Sequence, residues 1–305
     1  MKLPSDFIRN IKGVFGEAGT QFLANLPSLI AQASQRWVLT DVQPSPELSY
    51  NFVAFANREG EQVVLKMSVP NREARSERSA LRLFNGEGAC RLIDYEEDRC
   101  WMLLERLKPG VMLSTLEDDE EATHIAADVM QKIWRPLDSV SLLAQSFIQL
   151  SDWFDGLKKI RPAFHGGTGP FSAKLLERVE HSIAEFFAEN HRPVLMHGDF
   201  HHFNILSSER GWLIIDPKGV IGPACYEVGP LLINPWGDLL SGKNYQKLTR
   251  RRIDILHERL GFERERIREW GLAHAILSAW WSIEDHTGEE YALAFAEMIA
   301  DLDIK

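Results

Sequence analysis

The feature that most constrains the fold of this chain is a polar segment that begins at His197 and ends at Asp216. Asp199 is followed five positions later by Asn204, and Asp216 comes twelve positions after that asparagine. The residues in between, 205–215, form two short apolar runs around a polar turn, which predicts a hairpin of two buried strands. We expect this hairpin to bring Asn204 and Asp216 together, close to Asp199.

These three side chains are the groups that phosphoryl transfer needs. We expect Asp199 to accept or orient the proton of an acceptor hydroxyl group, and Asn204 and Asp216 to hold Mg²⁺ against the nucleotide phosphates. Mg²⁺ usually takes one or two protein carboxylates and completes its shell with water and phosphate oxygens, so one Asp with one Asn is sufficient. The pattern therefore predicts a phosphotransferase with ATP and Mg²⁺ as cofactors.

A lysine near the end of a predicted strand fits the same chemistry. The segment 52–67 reads as a β-hairpin, and Lys66 lies near the end of its second strand. A buried ammonium group needs an anionic partner, and a kinase lysine at this position contacts phosphates and pairs with a glutamate on the next helix. The helix predicted over 70–84 carries Glu73 and Glu77 on one face. Spacing alone does not choose between these two glutamates.

The loop expected to cover the phosphates has an unusual composition. Kinases usually place glycines here so that backbone N–H groups approach the phosphates closely. This chain has Leu48-Ser49-Tyr50-Asn51-Phe52, with no glycine. Ser49 and Asn51 are therefore the candidate nucleotide contacts. The missing glycines also motivate an alternative from another class, a nucleotide-binding pseudokinase or interaction module.

The histidines of the polar segment allow a second alternative, a metal-dependent hydrolase. His197, Asp199, His201 and His202 combine imidazole and carboxylate ligands that suit zinc or iron. Such a site needs further ligands, and no second His/Asp cluster follows downstream. We favour the interpretation that His197 stabilises the loop by hydrogen bonding, and that His201 and His202 face the phosphates or the substrate.

The segment from Val194 to Pro230 resembles the aminoglycoside phosphotransferase family of kinase-like enzymes. Pro217-Lys218-Gly219 follows Asp216 where protein kinases have Phe-Gly, and this is most similar to the branch of streptomycin 6-kinases and hydroxyurea phosphotransferases. The resemblance implies an α+β, protein-kinase-like bilobal fold. Its N-terminal lobe, residues 1–107, would contain an antiparallel sheet and bind the nucleotide. Its larger, mainly helical lobe, residues 108–305, would carry the catalytic and substrate-binding residues.

The resemblance also implies roles for individual residues. The segment 76–82 is similar to the helix that carries the lysine partner in the family, which favours Glu77 over Glu73. A second predicted hairpin, over 90–105, would lead into the hinge between the lobes. Backbone groups from Glu105 to Leu107 would bind the adenine edge there. The acceptor implied by the resemblance is a streptomycin-type aminocyclitol or hydroxyurea, with a housekeeping metabolite as the alternative.

Apolar periodicity predicts two short helices before about residue 30, and further helices over residues 120–134, 140–154, 174–189, 245–260, 267–284 and 290–302. Tryptophans recur beside acids in the C-terminal half, as in Trp153 with Asp152, Trp236 with Asp238, and Trp281 with Glu284 and Asp285. Aromatic faces and carboxylates together suit a cationic substrate. We expect Trp281, Glu284, Asp285 and His202 to contact it. Carboxylates at the C-terminal end of a helix are disfavoured by its dipole, which favours a functional reason for Glu284 and Asp285.

Composition narrows the functional class further. The chain has 305 residues, 45% of them hydrophobic, which is enough for a sizeable core. A formal net charge of −10 argues against a nucleic-acid partner and is compatible with a small cationic one. No apolar segment is long enough to span a membrane, and three cysteines without metal-type spacing fit a reducing compartment. We therefore expect a cytoplasmic protein.

Overall fold

The computed structural model describes residues 3–136, 146–189, 192–235 and 245–304. The chain begins with a long helix, α1 (Ser5–Trp37), whose backbone leaves helical geometry at Gly16 (φ 55°, ψ −125°). A Cβ atom at Gly19 would overlap the carbonyl oxygen of Ile11, so the segments on either side of the break pack closely. The two helices predicted here are therefore present, although the second continues to Trp37 rather than ending near residue 30.

A five-stranded antiparallel sheet follows, with strand order β1-β2-β3-β5-β4. Its strands are β1 (Leu39–Pro44), β2 (Phe52–Arg58), β3 (Glu61–Met67), β4 (Leu92–Glu96) and β5 (Trp101–Glu105). Both predicted hairpins are present, since β2 pairs with β3 and β4 with β5. Strand β1 was not predicted, because its alternation is weak and two prolines, at 44 and 46, suggested a break.

Helix α2 (Arg72–Phe84) lies between β3 and β4 in the chain. The side chain of Asn71 caps its first turn by accepting a hydrogen bond from the N–H of Ala74 at 2.8 Å. The helix ends at Asn85, which has left-handed backbone geometry (φ 47°), a common terminator. These two signals fix the register of the helix and, with it, the direction in which Glu77 points.

Two smaller sheets lie beyond β5. The first has the order β11-β10-β6 and contains β6 (Pro109–Met112), β10 (Ile205–Ser208) and β11 (Gly211–Ile214). The second has the order β7-β9-β12-β8 and contains β7 (Arg135–Pro136), β8 (Ile148–Gln149), β9 (Val194–Met196) and β12 (Val220–Gly222). The hairpin predicted over 205–215 is thus the pair β10 and β11, and Asp199 lies on the loop between β9 and β10.

Helices make up most of the remaining described chain. They are α3 (Asp119–Ile133), α4 (Leu150–Phe154), α5 (Ile160–Ala163), α6 (Ala173–Ala188), α7 (Val228–Ile233), α8 (Tyr245–Leu260), α9 (Arg264–Asp285) and α10 (Glu290–Ala300). Five of the six helices predicted after the hinge match these bounds to within a few residues. The helix predicted over 140–154 is wrong at Ile148–Gln149, which pair in parallel with β12, and residues 140–145 lie outside the described part.

The core consists of two groups of buried side chains. The first joins α1 to the strands β1, β2, β3 and β5. The second begins at α2 and the opposite face of β5 and continues through the helices of the C-terminal half, with Trp270 and Tyr226 as its largest fully buried members. Helix α2 therefore packs in the same core as Phe200, on the loop between β9 and β10 that carries Asp199. None of the helices within the described ranges is long and apolar enough to cross a bilayer.

Candidate active site

The loop between β9 and β10 is held in place by the imidazole of His197. This ring is fully buried; its Nδ1 accepts a hydrogen bond from the N–H of Asp199 at 3.1 Å, and its Nε2 lies 2.9 Å from the carbonyl oxygen of Ile215. A neutral ring protonated at Nε2 satisfies both contacts. Burial lowers the pKa of His197 to about 4, which favours the neutral form. His197 thus links the loop to the segment that carries Asp216.

A buried carboxylate, that of Glu227, also stabilises this loop through hydrogen bonds to its backbone. Glu227, on a short 3₁₀ turn before α7, accepts hydrogen bonds from the N–H groups of His197 and Gly198, both at 2.8 Å. Burial raises the pKa of Glu227 to about 7, and these two backbone donors act in the opposite direction. The two residues immediately before Asp199 are therefore fixed by one side chain that lies thirty positions away in the chain.

Asp199 itself is partly open to solvent, with about 38% of its side chain exposed. Burial raises its pKa, but the nearby His201 imidazole and Lys218 ammonium lower it more, so the net pKa is below the usual range. The His201 Nε2 atom lies 3.6 Å from Asp199 Oδ1. At neutral pH the group is a carboxylate, as a proton acceptor must be.

The hairpin places Asn204 beside the segment that carries Asp216. The N–H of Ile215 donates to the carbonyl oxygen of Asn204 at 2.9 Å, and Asn204 Nδ2 donates to the carbonyl oxygen of Asp199 at 3.0 Å. This orientation leaves the amide oxygen of Asn204 available as a ligand. Asp216 has left-handed backbone geometry (φ 55°), uncommon for a residue with a side chain and frequent at functional sites.

Lys66, on β3, forms ion pairs with α2 and with the segment that follows β11. Its Nζ lies 2.6 Å from Glu77 Oε1 and 2.6 Å from Asp216 Oδ1. Burial alone lowers the pKa of Lys66, but Asp216 and Glu77 raise it more, so the ammonium stays charged. Burial raises the pKa of Glu77 to about 7 against the effect of Lys66, while Lys218 and Lys66 outweigh burial and lower the pKa of Asp216 to about 2. Glu73, the other candidate, is exposed.

A second lysine approaches the same carboxylates. Lys218 Nζ lies 3.8 Å from Asp216 Oδ1 and is about 25% exposed. Burial lowers the pKa of Lys218, but the nearby carboxylates raise it by a larger amount, so the net pKa is above its usual range. These carboxylates are Asp216, Asp199, Glu73 and Glu77. Both lysines approach Oδ1 of Asp216, and no described side chain pairs with its Oδ2, which is therefore open to another cation. Oxygen ligands from one carboxylate and one amide fit the preference of Mg²⁺.

The glycine-free loop lies between β1 and β2 and reaches the end of α9. Leu48 is buried in the first core group, whereas Ser49 is exposed and Asn51 is partly buried. Neither polar side chain makes a hydrogen bond within the described ranges. Between them, Tyr50 Oη donates to Asp285 Oδ2 at 3.1 Å. The loop and one of the expected substrate residues are thus in direct contact.

The expected adenine-binding segment follows β5. The N–H of Glu105 donates to the carbonyl oxygen of Arg91 at 2.9 Å, and its carboxylate pairs with Arg210 at 2.5 Å. The N–H of Glu105 is therefore not available to a ligand. Leu107 is buried, and its N–H makes no hydrogen bond to any part of the chain that the structure describes. It is the better candidate for the adenine edge.

The expected substrate residues lie mostly at the C-terminal end of α9. Trp281 packs edge-on against Trp153 with ring centroids 5.3 Å apart, and Glu284 pairs with Lys159 at 3.2 Å. His202 is different, because it is only 2% exposed. This burial argues against the expected contact between His202 and a substrate. Trp236 and Asp238 lie outside the described residues.

The His/Asp hydrolase alternative finds no support in this geometry. Across the described ranges, no group of three or more His, Cys, Asp or Glu side chains is arranged to hold a metal ion. His197 uses both ring nitrogens within the loop. Its role is the structural one expected for it.

Comparison with known sequences decides the family. Residues 36–286 match the family model described as aminoglycoside/hydroxyurea antibiotic resistance kinase. The chain belongs to this family. It is 31% identical to a streptomycin 6-kinase of Streptomyces glaucescens over 289 residues, which covers 93% of this chain and 92% of that protein. It is 27% identical to a hydroxyurea phosphotransferase of Kitasatospora aureofaciens, covering 98% and 86% of the two chains.

Solved structures show the same fold as this chain. A choline kinase from Streptococcus pneumoniae superposes with a TM-score of 0.63 at 11% identity, covering 90% of this chain and 98% of that one. A thermostable mutant of an aminoglycoside phosphotransferase, in a ternary complex with ADP and hygromycin B, gives a TM-score of 0.58 at 13% identity, covering 88% and 97%. The predicted family, kinase-like fold and class of enzyme are therefore confirmed.

Three residues of the site were not assigned by the sequence. Lys218 belongs to the Asp-Pro-Lys-Gly motif that carried the resemblance, but the motif gave it no role. Glu227 lies in the same continuous stretch, and an acid followed by Val-Gly-Pro could have suggested a buried anchor. Tyr50 had no signal, since its partner Asp285 is more than two hundred positions away.

Proposed function

We propose that this kinase transfers the γ-phosphoryl group of ATP, with Mg²⁺, to a hydroxyl group of a small cationic aminocyclitol of the streptomycin type. The observation that carries the proposal is the position of Lys66, within 2.6 Å of both Glu77 and Asp216. One ammonium group thereby joins the expected nucleotide lobe to the expected metal ligand. A charge network of this kind is what positions a nucleotide triphosphate for transfer.

Each residue of the site has a separate proposed role. Asp199 accepts or orients the proton of the acceptor hydroxyl group, and Asn204 and Asp216 hold the cation. Lys66, positioned by Glu77, contacts the nucleotide phosphates, Ser49 and Asn51 add polar contacts from the loop above, and Leu107 binds the adenine edge with its backbone. When bound, Mg²⁺ neutralises charge on the phosphate oxygens. The fixed position of these groups supplies most of the rate enhancement in such reactions.

The proposal places the boundary between the lobes at residues 107 and 108. The first core group lies entirely before this point, and β6 immediately after it pairs with β10 of the catalytic hairpin. A boundary here puts Lys66 and Glu77 in one lobe and Asp199, Asn204 and Asp216 in the other. The contact between Lys66 and Asp216 then joins the two lobes at the site.

The acceptor is proposed from the chemistry near α9. Trp281, Glu284 and Asp285 combine an aromatic face with two carboxylates, which suits guanidinium or ammonium groups. The overall charge of −10 agrees with a cationic partner. Hydroxyurea, the substrate named for one relative, carries no cationic group and is the second candidate. We also propose a cytoplasmic location, where ATP is available and the buried cysteines stay reduced.

The test is an ADP-release assay with Mg²⁺ and ATP over streptomycin, related aminocyclitols and hydroxyurea, with mass spectrometry of the product. We expect a gain of one phosphate on streptomycin. Asp199→Asn should lower turnover by about 100-fold or more while ATP binding is retained. Saturable ATP binding without transfer to any acceptor would instead establish the pseudokinase alternative. Transfer to hydroxyurea alone would reject the cationic acceptor.

A further inference from the structure

Lys218 is held close to the catalytic loop by its own backbone. Its N–H donates to the carbonyl oxygen of His197 at 2.7 Å, and the N–H of Gly219 reaches the same oxygen at 3.2 Å. On the other side, Ser76 Oγ donates to the carbonyl oxygen of Gly219 at 2.7 Å, and a Cβ atom at Gly219 would lie 2.7 Å from the Ser76 carbonyl oxygen. Lys218 is thus fixed between α2 and the loop that carries Asp199.

The side chain of Lys218 lies among the groups that would surround a transferred phosphoryl group. Its closest carboxylate oxygen is Asp216 Oδ1 at 3.8 Å. With His201, its charge lowers the pKa of Asp199, and it opposes the burial that raises the pKa of Tyr50. The expected base, metal ligand and phosphate-covering loop are therefore all within electrostatic range of one ammonium group.

The ammonium group of Lys218 is short of hydrogen-bond acceptors. The side chain is about 25% exposed, and none of the described residues accepts a hydrogen bond from Nζ, because the 3.8 Å contact with Asp216 is too long, so its donors are open to a ligand. An ammonium group has three donors and a strong demand for acceptors. Lys66 is not in this position, since both of its carboxylate partners lie at 2.6 Å.

The catalytic loop itself provides no cation for the phosphoryl group. The residues between Asp199 and Asn204 are Phe-His-His-Phe, without lysine or arginine. The loop above the phosphates, 48–52, has neither a basic residue nor a glycine. Phosphoryl transfer spreads negative charge over three oxygens and depends on cations placed around them. Of the lysines and arginines that the structure describes, Lys218 is the one whose charge lowers the pKa of Asp199 most.

From these observations we infer that Lys218 is a catalytic residue that donates a hydrogen bond to an oxygen of the γ-phosphoryl group, an inference that rests on the proposed function. In the transfer, a bond forms between the acceptor oxygen and the γ-phosphorus while the bond from that phosphorus to the β–γ bridging oxygen breaks. The hydroxyl proton leaves to Asp199, and the products are ADP and a phosphate ester. Lys218 stays protonated throughout.

The inference is tested with Lys218→Met, which removes the charge, and Lys218→Arg, which keeps it. Lys174→Met is the matched control, because Lys174 is exposed and unpaired within the described residues. Affinities for ADP and for the triphosphate analogue AMP-PNP are measured by calorimetry with Mg²⁺. Lys218→Met should weaken AMP-PNP binding by about tenfold and leave ADP binding nearly unchanged. Turnover should fall on the order of 100-fold, with partial recovery in Lys218→Arg.

The ratio of the two affinities separates the possible outcomes. Equal weakening of ADP and AMP-PNP binding, or no change in either, would overturn the inference, because Lys218 would then act on the site as a whole or not at all. Thermal unfolding of the ligand-free variants checks their folding, and Lys218→Gln replaces the methionine variant if that one does not fold. A wild-type protein that binds neither nucleotide would reject the proposed function instead.

Discussion

Tyr50 Oη donates a hydrogen bond to Asp285 Oδ2 across 3.1 Å, joining the loop before β2 to the C-terminal end of α9. Burial and the Asp285 carboxylate raise the pKa of Tyr50 to about 12, so the phenol is protonated and can donate at neutral pH. Since Asp285 is also a proposed contact of the acceptor, the phenol and a cationic acceptor would compete for one carboxylate. The contact therefore connects the proposed nucleotide and acceptor sites.

We predict that Asp285→Asn raises the KM for a cationic acceptor by about tenfold with little change in kcat, because a binding contact is lost. Tyr50→Phe should lower the same KM by roughly twofold or more, because the carboxylate is freed. Asp98→Asn, at an exposed turn, is the control for loss of one negative charge. Steady-state kinetics with varied acceptor measure all three. A higher KM in Tyr50→Phe would contradict the competition.

The second prediction concerns the partner of Lys66. Glu77→Gln should reduce kcat/KM for ATP by about tenfold, since Lys66 loses one of the two charges that position it. Its free energy of unfolding should fall by about 1–3 kcal/mol, because the buried ammonium group of Lys66 loses one of its two anionic partners and keeps only Asp216.

Glu73→Gln is the matched control on the same helix. Glu73 is exposed and forms no ion pair within the described ranges, so both quantities should stay near the wild-type values. Kinetics with varied ATP and urea denaturation measure the two effects. Similar losses in both variants would mean that Glu77 is not the specific partner of Lys66.

The third prediction tests how Glu227 positions the catalytic loop. Glu227→Gln replaces one carboxylate oxygen with an NH₂ group, which cannot accept the hydrogen bond from His197 or Gly198. A buried N–H without a partner should lower the free energy of unfolding by about 1–3 kcal/mol. Turnover should fall more than ATP affinity, because Asp199 directly follows the two residues that Glu227 holds and would shift with them. Urea denaturation measures the loss of stability, and ATP titrations with steady-state kinetics compare binding with turnover. Equal losses of ATP affinity and turnover would contradict the prediction.

The sequence was sufficient for parts of the site that are local in the chain. The apolar runs around Asn204 and Asp216 predicted β10 and β11, and alternation predicted the hairpin that carries Lys66. Long-range contacts left no comparable pattern. Glu227 reaches the loop from thirty positions away, and the apolar run at Ile148–Gln149 forms a strand because it pairs with β12 rather than continuing a helix. Burial of His202 depends on the packing of several helices, which periodicity does not reveal.

The last prediction concerns the pH dependence of stability. The pKa of folded His197 is about 4, below its ordinary value near 6.5, because the ring is buried. Between these values the unfolded chain binds a proton that the folded chain does not, so the unfolding free energy falls as the pH falls. The full contribution, once the pH is below both values, is about 3 kcal/mol. Glu227, with a pKa raised to about 7, acts in the opposite direction between pH 4.5 and 7.

A comparison of wild type with His197→Gln isolates the histidine, since Glu227 is present in both proteins. Glutamine offers a donor to the Ile215 carbonyl and an acceptor to the Asp199 N–H but does not titrate. We expect wild type to be the more stable protein at pH 7, and its advantage to shrink by about 3 kcal/mol as the pH falls from 7 to 4. Urea denaturation at several pH values measures the difference. Parallel stability curves would show that His197 is not held neutral, and the tautomer assigned to the catalytic loop would have to be abandoned.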